Sequence, residues 1–189
     1  MSDLLELRWH GRAGQGLITA VELLAEAALE EGRYFQAFPE FGAERTGAPM
    51  RAFSRFSSRP ITLHCPVLEP DGVVILDSTL LGVEELFDGL KPSGFAMINT
   101  HLDPNVLKER FQLEAQVFTV NATKIAMSTL GRNIPNIPMI GALIRAREVV
   151  NKERIARFIQ TRLGARFSES IVKANLVALE QGYAEAAEG

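Results

Sequence analysis

Apolar and polar residues alternate along Leu5, Glu6, Leu7, Arg8, Trp9 and His10, which is the period of a strand. Three glycines follow at once, Gly11, Gly14 and Gly16. The spacing then changes, with Leu17, Val21, Leu24 and Ala28 recurring as one face of a helix that stops at Gly32. Residues 33–38 predict a second strand, and 39–49 a connection marked by glycine and proline with a charged centre. Residues 50–56 and 61–65 predict two short strands joined as a hairpin through the turn chemistry of 57–60. The runs 72–77, 94–99 and 116–120 are apolar at successive positions, as in parallel strands buried on both faces. Helical pieces are expected over 80–90, over 104–111 with Asp103 as N-cap and Pro104 at the first position, and over 122–130.

The last third predicts helices only. One runs over 139–149, a second is capped by Asn151 and buries Ile155, Phe158, Ile159 and Leu163, and a third opens at Ser168 with Val172, Leu176, Leu179 and Tyr183 on one side. The acidic residues 184–189 read as a frayed end. The predicted fold is an α/β domain spanning residues 1–189. It has a mostly parallel sheet, a Rossmann-like strand–glycine loop–helix start, a β-hairpin excursion and a helical C-terminal layer. In such sheets the ligand crevice lies beyond the carboxyl ends of the strands, where residues 11–16, 77–79, 99–101 and Asn121 all fall.

Composition narrows the function classes. A chain of 189 residues, 47% hydrophobic and 23% charged, suits one globular domain. A net charge of −3 leaves no electrostatic footprint for nucleic acid. One cysteine, Cys65, excludes an internal disulfide and any cysteine-ligated cluster within the chain. The start carries acids where a signal peptide needs positive charge, and no apolar run reaches spanning length, so the expectation is a cytoplasmic chain with no membrane contact.

The chemistry concentrates in the glycine stretch. A strand, a tight turn and a helix aim free backbone N–H groups and a helix dipole at whatever sits above the turn, and the natural occupant is an anion. The order is G-x-x-G-x-G, neither the dinucleotide fingerprint G-x-G-x-x-G nor a phosphate loop with Lys and Ser/Thr. Spacing alone therefore leaves two readings: an anion loop using Gly11, Arg12, Gly14, Gln15 and Gly16, or a sharp turn needed for close packing. His10, His64 and His101 lack metal-ligand spacing, so no metal site is expected. Cys65, ending an apolar run, reads as an inert buried thiol. Ser78 lies outside any nucleophile-elbow pattern, and Asp77 reads as a loop-fixing carboxylate. Residues 40–51 set Glu40, Glu44, Arg45 and Arg51 among glycines and prolines, either a binding surface or a solvated loop.

Gly11-Arg-Ala-Gly-Gln-Gly16 after a strand resembles the G-x-G-G-Q-G loop that opens the gamma subunit, or gamma domain, of 2-oxoacid:acceptor oxidoreductases, the pyruvate, ketoisovalerate, 2-oxoglutarate, indolepyruvate and arylglyoxylate enzymes. Phe41-Gly-Ala-Glu-Arg-Thr-Gly-Ala-Pro-Met-Arg51 is similar to the family's second signature. Val73-Val-Ile-Leu-Asp77 and Asn136-Ile-Pro-Met-Ile-Gly-Ala-Leu143 are similar to its third and fourth. The likeness runs in order from about Leu4 to Leu179. Ala13 departs from it, standing where the family has glycine.

The resemblance implies a complex that decarboxylates a 2-oxoacid on thiamine diphosphate with magnesium, passes electrons through iron–sulfur clusters and yields an acyl-CoA. It places those cofactors on alpha-, beta- and delta-type subunits, with ferredoxin or an NAD-reducing subunit as acceptor. This chain would hold no cofactor and no catalytic residue, and would serve assembly or binding. Its site residues would be the loop Gly11, Arg12, Gly14, Gln15 and Gly16, facing a partner or an anion such as a CoA phosphate, with Glu44 and Arg45 at an interface. Two alternatives stand beside this: a free-standing phosphate- or nucleotide-binding enzyme, and a structural adaptor with an empty loop.

Overall fold

The structure, a computed structural model, describes residues 4–40, 47–83 and 85–189. Strands β1 (Leu5–Arg12), β2 (Tyr34–Glu40), β3 (Pro49–Ser57), β4 (Gly72–Ile75), β5 (Phe95–Asn99), β6 (Gln116–Val120) and β7 (Ala187–Glu188) form one sheet in the order β2-β3-β1-β4-β5-β6-β7. The centre, β1-β4-β5-β6, is parallel; β3, β2 and β7 are added antiparallel at its sides. Helices α1 (Leu17–Glu30), α2 (Pro104–Arg110), α3 (Ala122–Leu130), α4 (Asn136–Ala146), α5 (Lys152–Phe158) and α6 (Glu169–Glu185) complete the fold. Among the described residues no helix is long and apolar enough to cross a membrane.

The unbroken apolar runs arise because both faces of the central strands are covered. Val74, Phe95, Met97, Phe118 and Val120 point to the larger core, with Leu7 and Trp9 of β1 and residues of α1, α3, α4 and α6. The residues between them, Val73, Ile75, Ala96, Ile98 and Val117, meet Leu80, Leu81, Leu86 and Leu107 on the other side. Helices α4 and α6 cross closely: a Cβ on Gly141 would lie 2.2 Å from the Leu179 carbonyl oxygen.

The alternation in β1 suggests one dry and one wet face, yet Arg8 and His10 are as buried as the core. The register explains how. Each polar residue of β1 stands in a row with one residue of β3 and one of β2: Glu6–Arg55–Gln36, Arg8–Phe53–Phe38 and His10–Arg51–Glu40. Arg55 donates to Glu6 at 2.7 Å, to Gln36 at 2.9 Å and to the Cys65 carbonyl at 2.8 Å. A guanidinium this deep is tolerated because its donors have partners.

Five expectations change. The hairpin is β2–β3, and residues 61–65 are not a strand, because their carbonyls are taken by side chains: Leu63 accepts from Gln36 at 2.7 Å and Cys65 from Arg55. Cys65 is exposed rather than a buried thiol, although Arg55 reaches both its carbonyl at 2.8 Å and its Sγ at 3.8 Å. In place of a helix over 80–90 there is a 3-10 turn, Ser78–Gly82, then hydrogen-bonded turns. The C-terminal tail is not frayed: α6 continues to Glu185, Ala187 and Glu188 pair with Thr119 and Phe118, and Gln116 binds Glu188 at 2.7 Å, covering the edge of β6. The helix placed at 139–149 starts earlier, at Asn136 after Pro135, and ends at Ala146, because Arg147 turns extended.

Candidate functional site

The loop between β1 and α1 lies at the carboxyl edge of the parallel strands, beside the end of β4. Gln15 holds it there from both sides. Its Oε1 accepts from the Arg12 backbone N–H at 2.8 Å, while its Nε2 donates to Asp77 Oδ2 at 2.6 Å. Arg12 reaches over the same carboxylate, 3.4 Å from Asp77 Oδ2, and donates to Thr79 Oγ1 at 2.9 Å and the Gly47 carbonyl at 3.0 Å. Thr79 closes the set by donating to Asp77 Oδ1 from its backbone at 2.9 Å and its hydroxyl at 2.6 Å.

Burial pushes the Asp77 carboxyl up, but the Thr79 and Gln15 hydrogen bonds and the Arg12 charge outweigh it. Asp77 sits below its ordinary value of 3.8 and is held ionised. It is the pin between the β1 loop and the β4 end, as a loop-fixing carboxylate should be.

The glycines divide the work. Gly14 (φ 97°) and Gly16 (φ 77°) take left-handed backbone that side chains resist. A Cβ on Gly14 would meet nothing within 4 Å, whereas one on Gly16 would lie 2.5 Å from Asn136 Nδ2. Gly16 therefore admits α4 of its own chain, and Gly14 is the open, exposed position. Gly16 also stands at the N-cap of α1, where no side chain caps the helix. Ala13 has no positive φ, so losing glycine there costs the backbone nothing.

Several of the loop's donors are already engaged. Arg12 N–H goes to Gln15, Ala13 N–H to the Ala48 carbonyl at 3.1 Å, and Gln15 N–H to the Arg12 carbonyl at 3.2 Å. The other strand ends also serve the fold. Asn99 binds the Leu76 carbonyl and Thr123, and Asn121 caps α3. Glu40 and Arg51, at the ends of β2 and β3, form an ion pair at 2.8 Å. Glu44 and Arg45 lie outside the described residues. Asn136 is a loop residue in three dimensions that sequence spacing misses, being 120 positions from the Gly16 carbonyl it donates to.

Residues 6–185 match the family described as Pyruvate ferredoxin/flavodoxin oxidoreductase. The chain belongs to that family. Pyruvate synthase subunit PorC of Thermotoga maritima is 46% identical over 180 residues, covering 95% of this chain and 93% of the relative. The pyruvate/ketoisovalerate oxidoreductases common subunit gamma of Pyrococcus abyssi is 40% identical over 179 residues, covering 94% and 97%. The crystal structure of the Thermotoga maritima subunit superposes with a TM-score of 0.88 at 42% identity, over 100% of this chain and 99% of the other.

The protein is thus a gamma-type subunit of a 2-oxoacid oxidoreductase. Among the described residues, the donors of this gamma-type subunit do not suit an iron–sulfur cluster or a bound metal ion. It has one cysteine, and among the described residues no set of three or more His, Cys, Asp or Glu side chains could hold a metal ion. What its site offers instead is a rigid, charged loop with one open glycine.

Proposed function

We propose that this gamma-type subunit acts as one domain over residues 1–189 and lends an assembly surface, centred on Gly11, Arg12, Gly14, Gln15 and Gly16, to a cytoplasmic complex. The complex oxidatively decarboxylates pyruvate or a related 2-oxoacid to an acyl-CoA. Its thiamine diphosphate, magnesium and iron–sulfur clusters sit on alpha-, beta- and delta-type chains, and its electrons leave to ferredoxin or through an NAD-reducing subunit. Glu44 and Arg45 are assigned to the same interface.

The observation that favours an interface over an anion loop is the use of the donors. Arg12, Ala13 and Gln15 spend their backbone N–H groups inside the chain. An anion loop needs such groups free. The open space at Gly14 and the Gln15–Asp77 clamp suit a preformed surface against which a partner backbone can lie.

The test is reconstitution with the partner chains after Gly14→Val and Arg12→Ala. Subunit affinity is expected to fall about tenfold or more, the equivalent of about 1.4 kcal/mol, while the KM for CoA in the assembled complex stays unchanged. A raised KM for CoA with normal assembly would make the loop an anion site. Activity of the isolated chain in 2-oxoacid-dependent dye reduction would overturn the subunit reading altogether.

A further inference from the structure

The two edges of the sheet are finished differently. The chain's own tail closes the β6 edge, whereas β2 has β3 on one side only. The hydrogen bonds of β1 fix which backbone groups of β2 are left over. Glu6 and His10 turn their carbonyls toward β4, accepting from the Asp71 and Leu76 N–H groups, each at 2.8 Å. Bonding direction alternates along a strand, so Leu5, Leu7 and Trp9 bond to Phe56, Ser54 and Ala52 of β3. By the same alternation Arg51, Phe53 and Arg55 bond to Glu40, Phe38 and Gln36 of β2. Phe35, Ala37 and Pro39 therefore face outward, and Pro39, with no N–H to offer, stands where an edge tolerates proline. Among the described residues no hydrogen bond reaches the outward backbone groups of Phe35 and Ala37.

This edge is apolar as well as open. Leu29 of α1 is 61% exposed, Ile18 and Ala25 are half-buried, and the three share one side of the helix. Helix α1 packs on β2 while α4 packs on β5 and β6, so this stripe looks out beyond β2. The neighbouring stripe, Glu22, Glu26 and Glu30, is already paired with Arg162 at 2.8 and 2.6 Å and with Arg154 at 3.4 Å. A strand edge left open beside apolar surface is a template for another strand.

The strand suits its own copy. Tyr34–Glu40 is centred on Ala37, so a twofold axis there sets outward residues against outward residues, Ala37 on Ala37 and Phe35 on Pro39. Each Ala37 N–H can then donate to the Ala37 carbonyl of the second copy, and each Phe35 N–H to the Pro39 carbonyl. The one charge in the strand, Glu40, is held by its own Arg51 at 2.8 Å and meets Tyr34, not a like charge. We propose that two copies of this chain join through β2, antiparallel about Ala37, with the Ile18, Ala25 and Leu29 stripes of both α1 helices covering the joint. The inference concerns the sheet edge and stands whether or not the glycine loop is an interface.

The test follows the full chain through a dilution series by analytical ultracentrifugation and amide hydrogen exchange. A reversible dimer is expected, in which the Phe35 and Ala37 amides are protected and lose protection on dilution. The Gln36 and Phe38 amides, bonded to β3, should stay protected throughout. Leu29→Glu, at an exposed position, sets two carboxylates together and should weaken the dimer about tenfold or more. Ala37→Pro deletes only an outward donor, so the chain should fold and remain monomeric. A wild-type chain monomeric up to about 1 mM, or a dimer undiminished in folded Leu29→Glu, would overturn the proposal. So would protection of Phe35 and Ala37 that appears only when the alpha-, beta- and delta-type chains are added, since another chain's strand would then hold the edge.

Discussion

Gln15 and Asp77 join the two strand ends of the candidate site, Gln15 Nε2 donating to Asp77 Oδ2 at 2.6 Å across 62 positions of sequence. The same Gln15 side chain accepts from the Arg12 backbone, so one amide orders the glycine loop internally and anchors it to the end of β4. A loop held this way presents Arg12 and Gly14 in one arrangement, which lowers the ordering cost when a partner binds.

The anchor should be measurable as stability. Asp77→Ala removes an ionised acceptor serving Thr79, Gln15 and Arg12, and is expected to cost about 1–3 kcal/mol. Because the folded carboxyl lies below its ordinary value, the contribution is complete above about pH 4 and is lost as pH falls through the folded value. Urea denaturation of both proteins should show a gap at neutral pH that closes in acid. A gap independent of pH down to full acid denaturation would remove the charge from the explanation.

Gly14 and Gly16 should respond differently to alanine. Gly14→Ala pays only for its left-handed backbone, about 1–2 kcal/mol. Gly16→Ala pays that and the collision with Asn136. Removing the obstructing atoms with Asn136→Ala should partly rescue Gly16→Ala and leave Gly14→Ala unrescued. Additive effects in the Gly16–Asn136 double-mutant cycle would show that the contact does not couple them.

His10 should make the chain sensitive to mild acid. Its folded pKa of about 3 lies below the unfolded value of 6.5, so the unfolded state alone takes up the proton between them. Stability attributable to His10 is intact above about pH 6.5 and falls by about 1.4 kcal/mol per pH unit below it, until the folded value is reached. Comparing wild type and His10→Asn between pH 7 and pH 5 avoids most carboxylate titration. The variant should show the shallower slope; equal slopes would mean that His10 titrates normally.

Gly141→Leu should break the α4–α6 crossing. A Cβ there would already lie 2.2 Å from the Leu179 carbonyl oxygen and 2.8 Å from the Tyr183 backbone nitrogen. Backbone yields less readily than side chains, so the loss is expected at the upper end of overpacking, about 3 kcal/mol or more. Thermal melts should show it, at about 2–4 °C per kcal/mol for a chain of this size. A neutral result would mean that the two helices can separate freely.

The sequence by itself determined the α/β class, the order of the central strands' runs, the glycine loop and the family. Each of these is written in local pattern: a period of two, a period near 3.6, or residues of set type at short spacing. It also held two of the caps, since Asp103 and Asn151 both accept from their own helix. Tertiary structure decided the rest. Whether residues 61–65 pair as a strand depended on Arg55 and Gln36 claiming their carbonyls, and whether the acidic tail frayed depended on the open edge of β6. Gly16 reads as either an anion-loop or a close-packing glycine, and only the structure sets Asn136 beside it; His10 reads as the polar half of an alternating strand, yet it is buried next to Arg8. Apart from Arg8, two positions from His10, the deciding partners come from other elements, and their contact depends on register and layer packing, which no local pattern encodes.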